Sequence, residues 1–212
     1  MTYFALEDLS ADEIGAIERK FNIDFFSLEP VGEGRWGHAL AIDNKSILKI
    51  TSAEEEVKVL KILISENLIL EPGFATVLSE DILELQKIDV YRTERLYPAK
   101  KALKWAMKNN ILDYKEVDSL NYKISIFLND LFISPRDIHD FNLGKEGSTF
   151  LREPMLIPLV LSLYTAASKG FFLYDLHLGN LGFRFDENGN PALDAGFVAF
   201  DLMISKWGKR NV

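Results

Sequence analysis

The sequence predicts an α+β fold in two parts, an antiparallel sheet with one main helix followed by a mostly helical region. Three observations lead there. Short β-type and aromatic runs separated by turn residues flank a single helical pattern within positions 31–96. After Pro98 the apolar residues recur at helical spacing instead. Near the end, a polar segment D-L-H-x-G-N, beginning at Asp175, is set between apolar runs.

A chain of 212 residues, 48% hydrophobic and 26% charged, has globular composition and can bury a sizeable core. Its net charge of -8 disfavours non-specific nucleic-acid binding. The absence of cysteine excludes disulfides and thiolate metal sites. The acidic first residues lack the basic-then-apolar layout of a signal peptide. No apolar run approaches the ~20 residues that a membrane span requires. The expectation is a soluble cytoplasmic protein with neither nucleic-acid nor membrane partners.

Ser10-Ala11-Asp12-Glu13 is a capping box, and Ile14, Ile17 and Phe21 continue it at helical spacing. Phe21 to Pro30 leads into a strand. Gly32, Gly34 and Gly37 then form G-x-G-x-x-G, where missing Cβ atoms let backbone amides approach phosphates. A dinucleotide-binding triplet should open a helix. Here Trp36 to Ile42 reads as a strand, the turn Asp43-Asn44-Lys45 follows, and Ser46 to Ile50 is a second strand. Lys49 lies in that second strand between Leu48 and Ile50; such a lysine either has a partner or faces water at an edge. Ser52-Ala53-Glu54-Glu55 is read as a second capping box, opening a helix with Val57, Leu60, Leu63 and Ile64 on its apolar face. Glu54, Glu55 and Glu56 suit the dipole of its first turn, and one of them, Glu56 by preference, is the candidate partner of Lys49.

Phe74 to Leu78, Ile82 to Ile88 and Val90 to Leu96 are expected to be strands. Helices are expected through Ala102–Ala106, Leu120–Leu131 and Met155–Ala167, with a polar loop from Ser134 to Ser148 that contains His139. Trp36 and Phe74 suit base stacking or ordinary packing.

Asp175, His177 and Asn180 follow an apolar strand, and the turn Asp186-Glu187-Asn188-Gly189 follows a strand from Leu181 to Phe185. A further strand ending at Asp194 would bring Asp175, Asn180 and Asp194 to one mouth. Phosphoryl transfer uses such a set: one carboxylate orients a hydroxyl, while an amide and a second carboxylate hold Mg²⁺ on ATP phosphates. Asp201, ending FVAFD, also closes an apolar run and is the runner-up to Asp194 as the metal ligand. An ordinary surface hairpin is the plain alternative for this segment.

In this order, a Gly-rich hairpin, strand lysine, helix glutamate, hinge, helical region and D-L-H-x-G-N loop resemble the protein-kinase-like fold. The resemblance spans roughly Pro30 to Phe197 and implies a two-lobed architecture, residues 1–96 forming the N-lobe and 97–212 a reduced helical C-lobe. It implies that Gly32, Gly34 and Gly37 cover ATP phosphates, that Lys49 contacts them, and that Glu56 pairs with Lys49. By the same resemblance Thr93 is the gatekeeper and Glu94 to Leu96 the hinge for adenine. Asp175 is the catalytic-loop aspartate, Asn180 and Asp194 are metal ligands, and His177 stands where a side chain meets the γ-phosphate. Tyr174 precedes the catalytic aspartate, so the usual arginine there is missing, and Asp194-Ala195-Gly196 lacks the D-F-G phenylalanine. Ile47 stands at the position of the ceiling alanine. The stretch after Asp194 leaves no room for an activation segment. That pattern is similar to truncated kinases, the T7-like phage serine/threonine kinases and compact bacterial effector kinases, while D-L-H-x-G-N is also that of aminoglycoside phosphotransferases. The implied function is an ATP- and Mg²⁺-dependent phosphotransferase, a serine/threonine protein kinase before a small-molecule kinase. The alternative is a weak or inactive kinase-like module that binds and inhibits a partner protein.

Overall fold

Short-range signals shape the first part of the chain. In the computed structural model, which describes residues 5–34, 37–133, 153–174 and 176–206, the Ser10 hydroxyl accepts from Glu13 N and starts helix α1, Ala11–Phe21. The Glu13 carboxylate reaches back to Ser10 N at 2.9 Å, completing the box. Asn22, at φ 52 in the left-handed region, ends the helix.

The chain divides into two units, Met1–Ile69 with Thr76–Arg95, and Leu70–Ala75 with Leu96–Val212. The first unit holds a five-stranded antiparallel sheet, β1 Glu29–Gly34, β2 Gly37–Ala41, β3 Ser46–Thr51, β4 Ile82–Glu84 and β5 Asp89–Glu94, in the order β1-β2-β3-β5-β4. Asp43 Oδ1 accepts from the amides of Lys45 and Ser46, both at 2.7 Å, and so forms the β2–β3 turn. Strand alternation gives the sheet two chemically different faces. Leu40, Leu48, Ile50 and Val90 form one core with Ile17 and Phe21 of α1 and with Leu9, Phe25 and Ile88. Lys49, Thr51 and Tyr91 belong to the opposite face, where helix α2, Glu54–Ser65, brings Glu56.

Three local expectations are corrected. The N-cap of α2 is Ala53, with no side-chain cap bond. The Ala53 amide donates to Thr51 Oγ1 at 3.1 Å, tying the start of the helix to the end of β3. The run Ile82–Ile88 is strand only to Glu84, because Leu85 N bonds Ile88 O at 2.9 Å and turns the chain into β5. Phe74–Leu78 is no strand: Phe74 makes a single parallel bridge to Ala199, while Thr76 is held to Glu94 and Thr93. Phe74 itself is 1% exposed and packs in the second unit's core.

The second unit contains α3 Ala99–Lys108, α4 Tyr114–Ile133 and α5 Ile157–Ser168. Strands β6 Tyr97–Pro98, β8 Leu181–Phe183 and β9 Val198–Ala199 form one small sheet; β7 Phe171–Tyr174 and β10 Met203–Lys206 form another. The rings of Phe183 and Phe197 pack in a tilted arrangement, with centroids 4.4 Å apart, in the core of this unit. The polar loop Ser134–Ser148, with His139, and also Trp36 lie outside the described residues. No helix among the described residues is long and apolar enough to cross a membrane.

Candidate active site

The first unit supplies a fixed cation. Lys49 lies in the middle of β3, in register with Ala39 on one side and Tyr91 on the other. Its Nζ is 2.6 Å from Glu56 Oε1, with the two side chains only 15% and 10% exposed. Burial pushes the Glu56 carboxyl up, but the Lys49 charge and hydrogen bonds from Lys49, Tyr91 and Thr51 outweigh it and hold the group below its ordinary value. Glu54 and Glu55 are exposed and pair with Lys58 at 3.3 and 3.2 Å. Of the three acids in that turn, Glu56 is the one the structure brings to Lys49.

The glycine hairpin is β1–β2, and its three glycines differ. A Cβ on Gly37 would lie 2.0 Å from Ile50 O, so strand packing alone requires glycine there. At Gly32 and Gly34 the nearest atoms would be 3.5 and 3.9 Å away, so packing does not require glycine at either position. Further along, Thr93 Oγ1 donates to Thr76 O at 3.0 Å, and Glu94 accepts Thr76 N through its carboxylate at 3.0 Å. Thr93 and Glu94 thus belong to the first unit, whereas Leu96 belongs to the second.

The second unit holds the D-L-H-x-G-N segment. Asp175, next after β7 in sequence, lies outside the described residues. His177 is exposed, and its Nδ1 accepts from Gly179 N at 3.0 Å. A Cβ on Gly179 would come within 2.7 Å of that imidazole, so the loop glycine lets the ring fold back on its own backbone. Asn180 is buried at the end of the 3-10 turn Leu178–Asn180. Its Nδ2 donates to Asp201 O at 3.4 Å, and its carbonyl accepts from Phe200 N at 3.0 Å.

The expected strand ending at Asp194 is absent. Asp194 is exposed within the 3-10 turn Leu193–Ala195, and Gly196 at φ 79 redirects the chain. Pairing with β8 is then made by β9, with Leu181 opposite Ala199 and Gly182 opposite Val198. Asp201 follows two residues later, at φ 55, a left-handed conformation that aspartate tolerates better than most residues. The hairpin brings the main chain of Asp201 back to Asn180.

No family model matches the sequence, and neither does any curated protein. Among solved structures the chain is similar to APH(2")-IIa in a ternary complex with streptomycin and ATP, at 14% identity over 94% of this chain and 73% of that one, with a TM-score of 0.44. It is likewise similar to the gentamicin complex of APH(2")-IIa, at 16% identity over 94% and 72%, TM-score 0.45. The ADP-bound aminoglycoside phosphotransferase APH(2")-Ib is similar at 15% identity over 93% and 73%, TM-score 0.42.

Two residues around Glu56 escaped the motif reading. Thr51 Oγ1 donates to Glu56 Oε2 at 2.9 Å, and Tyr91 Oη donates to Glu56 Oε1. The sequence carries a signal for Thr51, since residues two apart on a strand share a face with Lys49. Tyr91 has no comparable signal, because its contact depends on the β3–β5 register.

Proposed function

We propose that the chain is an ATP- and Mg²⁺-dependent phosphotransferase acting on a hydroxyl acceptor. The observation that carries this is the largely buried Lys49–Glu56 pair on a sheet face one strand removed from the glycine hairpin. A lysine held by a carboxylate at its base is a preorganised positive charge, which a phosphoryl group needs and a packing residue does not. In this reading the backbone of Gly32 and Gly34 approaches the phosphates and Gly37 lets β2 lie close against β3. Residues 1–96 hold the nucleotide, with Thr93, Glu94 and Leu96 toward its base, and residues 97–212 carry the chemistry.

Asp175 orients the acceptor hydroxyl and takes its proton, and His177 lies near the transferred group. Asn180 and Asp201 together offer the amide and carboxylate oxygens that suit a hard cation. Mg²⁺, when bound, neutralises phosphate charge. The interaction of Asn180 with Asp201 supports Asp201 as the second ligand in place of Asp194.

The test is phosphate transfer from labelled ATP by the purified full chain, offered a mixed serine/threonine protein substrate in one arm and aminoglycosides in the other. Autophosphorylation and the protein arm report a protein kinase, and the second arm a small-molecule kinase. Transfer in either arm that is lost in Asp175→Ala supports the proposal. Absence of Mg²⁺-dependent ATP binding, together with no transfer in either arm, overturns it.

A further inference from the structure

Glu56 receives more donors than an ion pair with lysine requires. Tyr91 and Thr51 are 3% and 1% exposed, and their hydroxyls converge on its carboxylate from two neighbouring strands. Tyr91 Oη and Lys49 Nζ share Oε1, while Thr51 Oγ1 takes Oε2. Thr51 Oγ1 also accepts from Ala53 N, which commits its single hydrogen to Glu56. Phenylalanine and valine would fill the same strand positions with β propensity at least as good. The hydroxyls therefore need an explanation that sheet formation does not provide.

We propose that Tyr91 and Thr51 are positioning residues, whose hydroxyls lock the Glu56 carboxylate and through it hold the Lys49 ammonium in place before any nucleotide arrives. The functional consequence rests on the phosphotransferase reading, but the lock itself lies within the first unit. A lysine and a glutamate facing each other alone keep considerable rotamer freedom. Two additional charge-assisted bonds remove that freedom from the acceptor, and both of its oxygens become fixed points. The first turn of α2 is tied to β3 by Lys49 and Thr51 and to β5 by Tyr91. Swinging this helix away would break all three bonds at once, so the lysine is permanently set instead of being switched by helix movement.

The experiment follows the side-chain nitrogen of Lys49 by ¹⁵N-edited NMR in the full chain, the signal being assigned by its loss in Lys49→Gln. The wild type is expected to show a protected Lys49 signal at neutral pH without nucleotide. In Tyr91→Phe and in Thr51→Val its exchange with water rises about tenfold, in line with losing a hydrogen bond to a charged group. Thr51→Ser, which keeps the hydroxyl, retains the wild-type signal. In the transfer assay Tyr91→Phe lowers kcat about tenfold by the same reasoning and leaves KM for the acceptor unchanged. Unchanged Lys49 exchange in both variants overturns the proposal, and so does a wild type without a protected Lys49 signal. A collapse of the melting temperature in both variants also overturns it, since the hydroxyls would then hold the fold and not the lysine. A wild type that transfers no phosphate would sink the phosphotransferase reading alone, and the NMR result would still decide the lock.

Discussion

The side-chain amide of Asn180 donates to the main-chain carbonyl of Asp201 at 3.4 Å. Asp194 is exposed in a 3-10 turn seven positions earlier in the sequence. The two aspartates should therefore respond differently to loss of charge. Asp201→Asn is expected to lower Mg²⁺-dependent transfer on the order of a hundredfold, because an amide holds a hard cation poorly. Asp194→Asn should leave most of the activity. Kinetics of the two variants across a Mg²⁺ titration check this, and the reverse pattern would return the metal ligand to Asp194.

Lys49→Met should destabilise the first unit as well as abolish transfer. It leaves a largely buried carboxylate without its counter-charge, a loss of about 3 kcal/mol. Adding Glu56→Gln should recover part of that loss, since the orphaned charge disappears. Urea unfolding of both single variants and the double variant measures the coupling. Strictly additive effects would show that the two residues are not energetically paired.

The pH dependence has a definite sign. The folded Glu56 carboxyl titrates below its ordinary value of 4.5, so its stabilising contribution is complete above that value. It is lost as the pH falls through the lowered folded value. The melting-temperature gap between the wild type and Glu56→Gln should stay level from neutral pH down to 4.5 and close below it. A gap that widens on acidification would contradict the sign of the shift.

The hairpin glycines separate fold from function. Gly37→Ala places a Cβ 2.0 Å from Ile50 O and should destabilise by roughly 1–3 kcal/mol or more, as overpacking does. Gly34→Ala meets nothing closer than 3.9 Å and should melt close to the wild type. On the proposed function it should nonetheless weaken ATP binding, because the new methyl group would obstruct the approach of backbone to phosphate. Calorimetric titration with Mg·ATP tests this, and unimpaired binding by Gly34→Ala would remove Gly34 from the site.

By itself the sequence determined what depends on neighbours along the chain. Ser10 and Glu13 announce α1, Asp43 announces the β2–β3 turn, and alternation around Lys49 announces β3, because caps, turns and pleats act over two to four residues. Among the three acids of the first turn of α2, the sequence only prefers Glu56 as the partner for Lys49, and the structure brings that one to it. Only the tertiary structure decided contacts that close across long separations. Tyr91 reaches Glu56 from 35 positions away through the β3–β5 register. Thr51 Oγ1 accepts from the Ala53 amide, a contact set by the bend between β3 and α2. Asp194 and Asp201 both end apolar runs, and the apolar pattern alone does not rank two such ends. The main-chain contact of Asn180 with Asp201 follows from β9 pairing with β8 after the turn at Gly196, since backbone hydrogen bonds across the hairpin, not the apolar run, set which backbone lies beside Asn180.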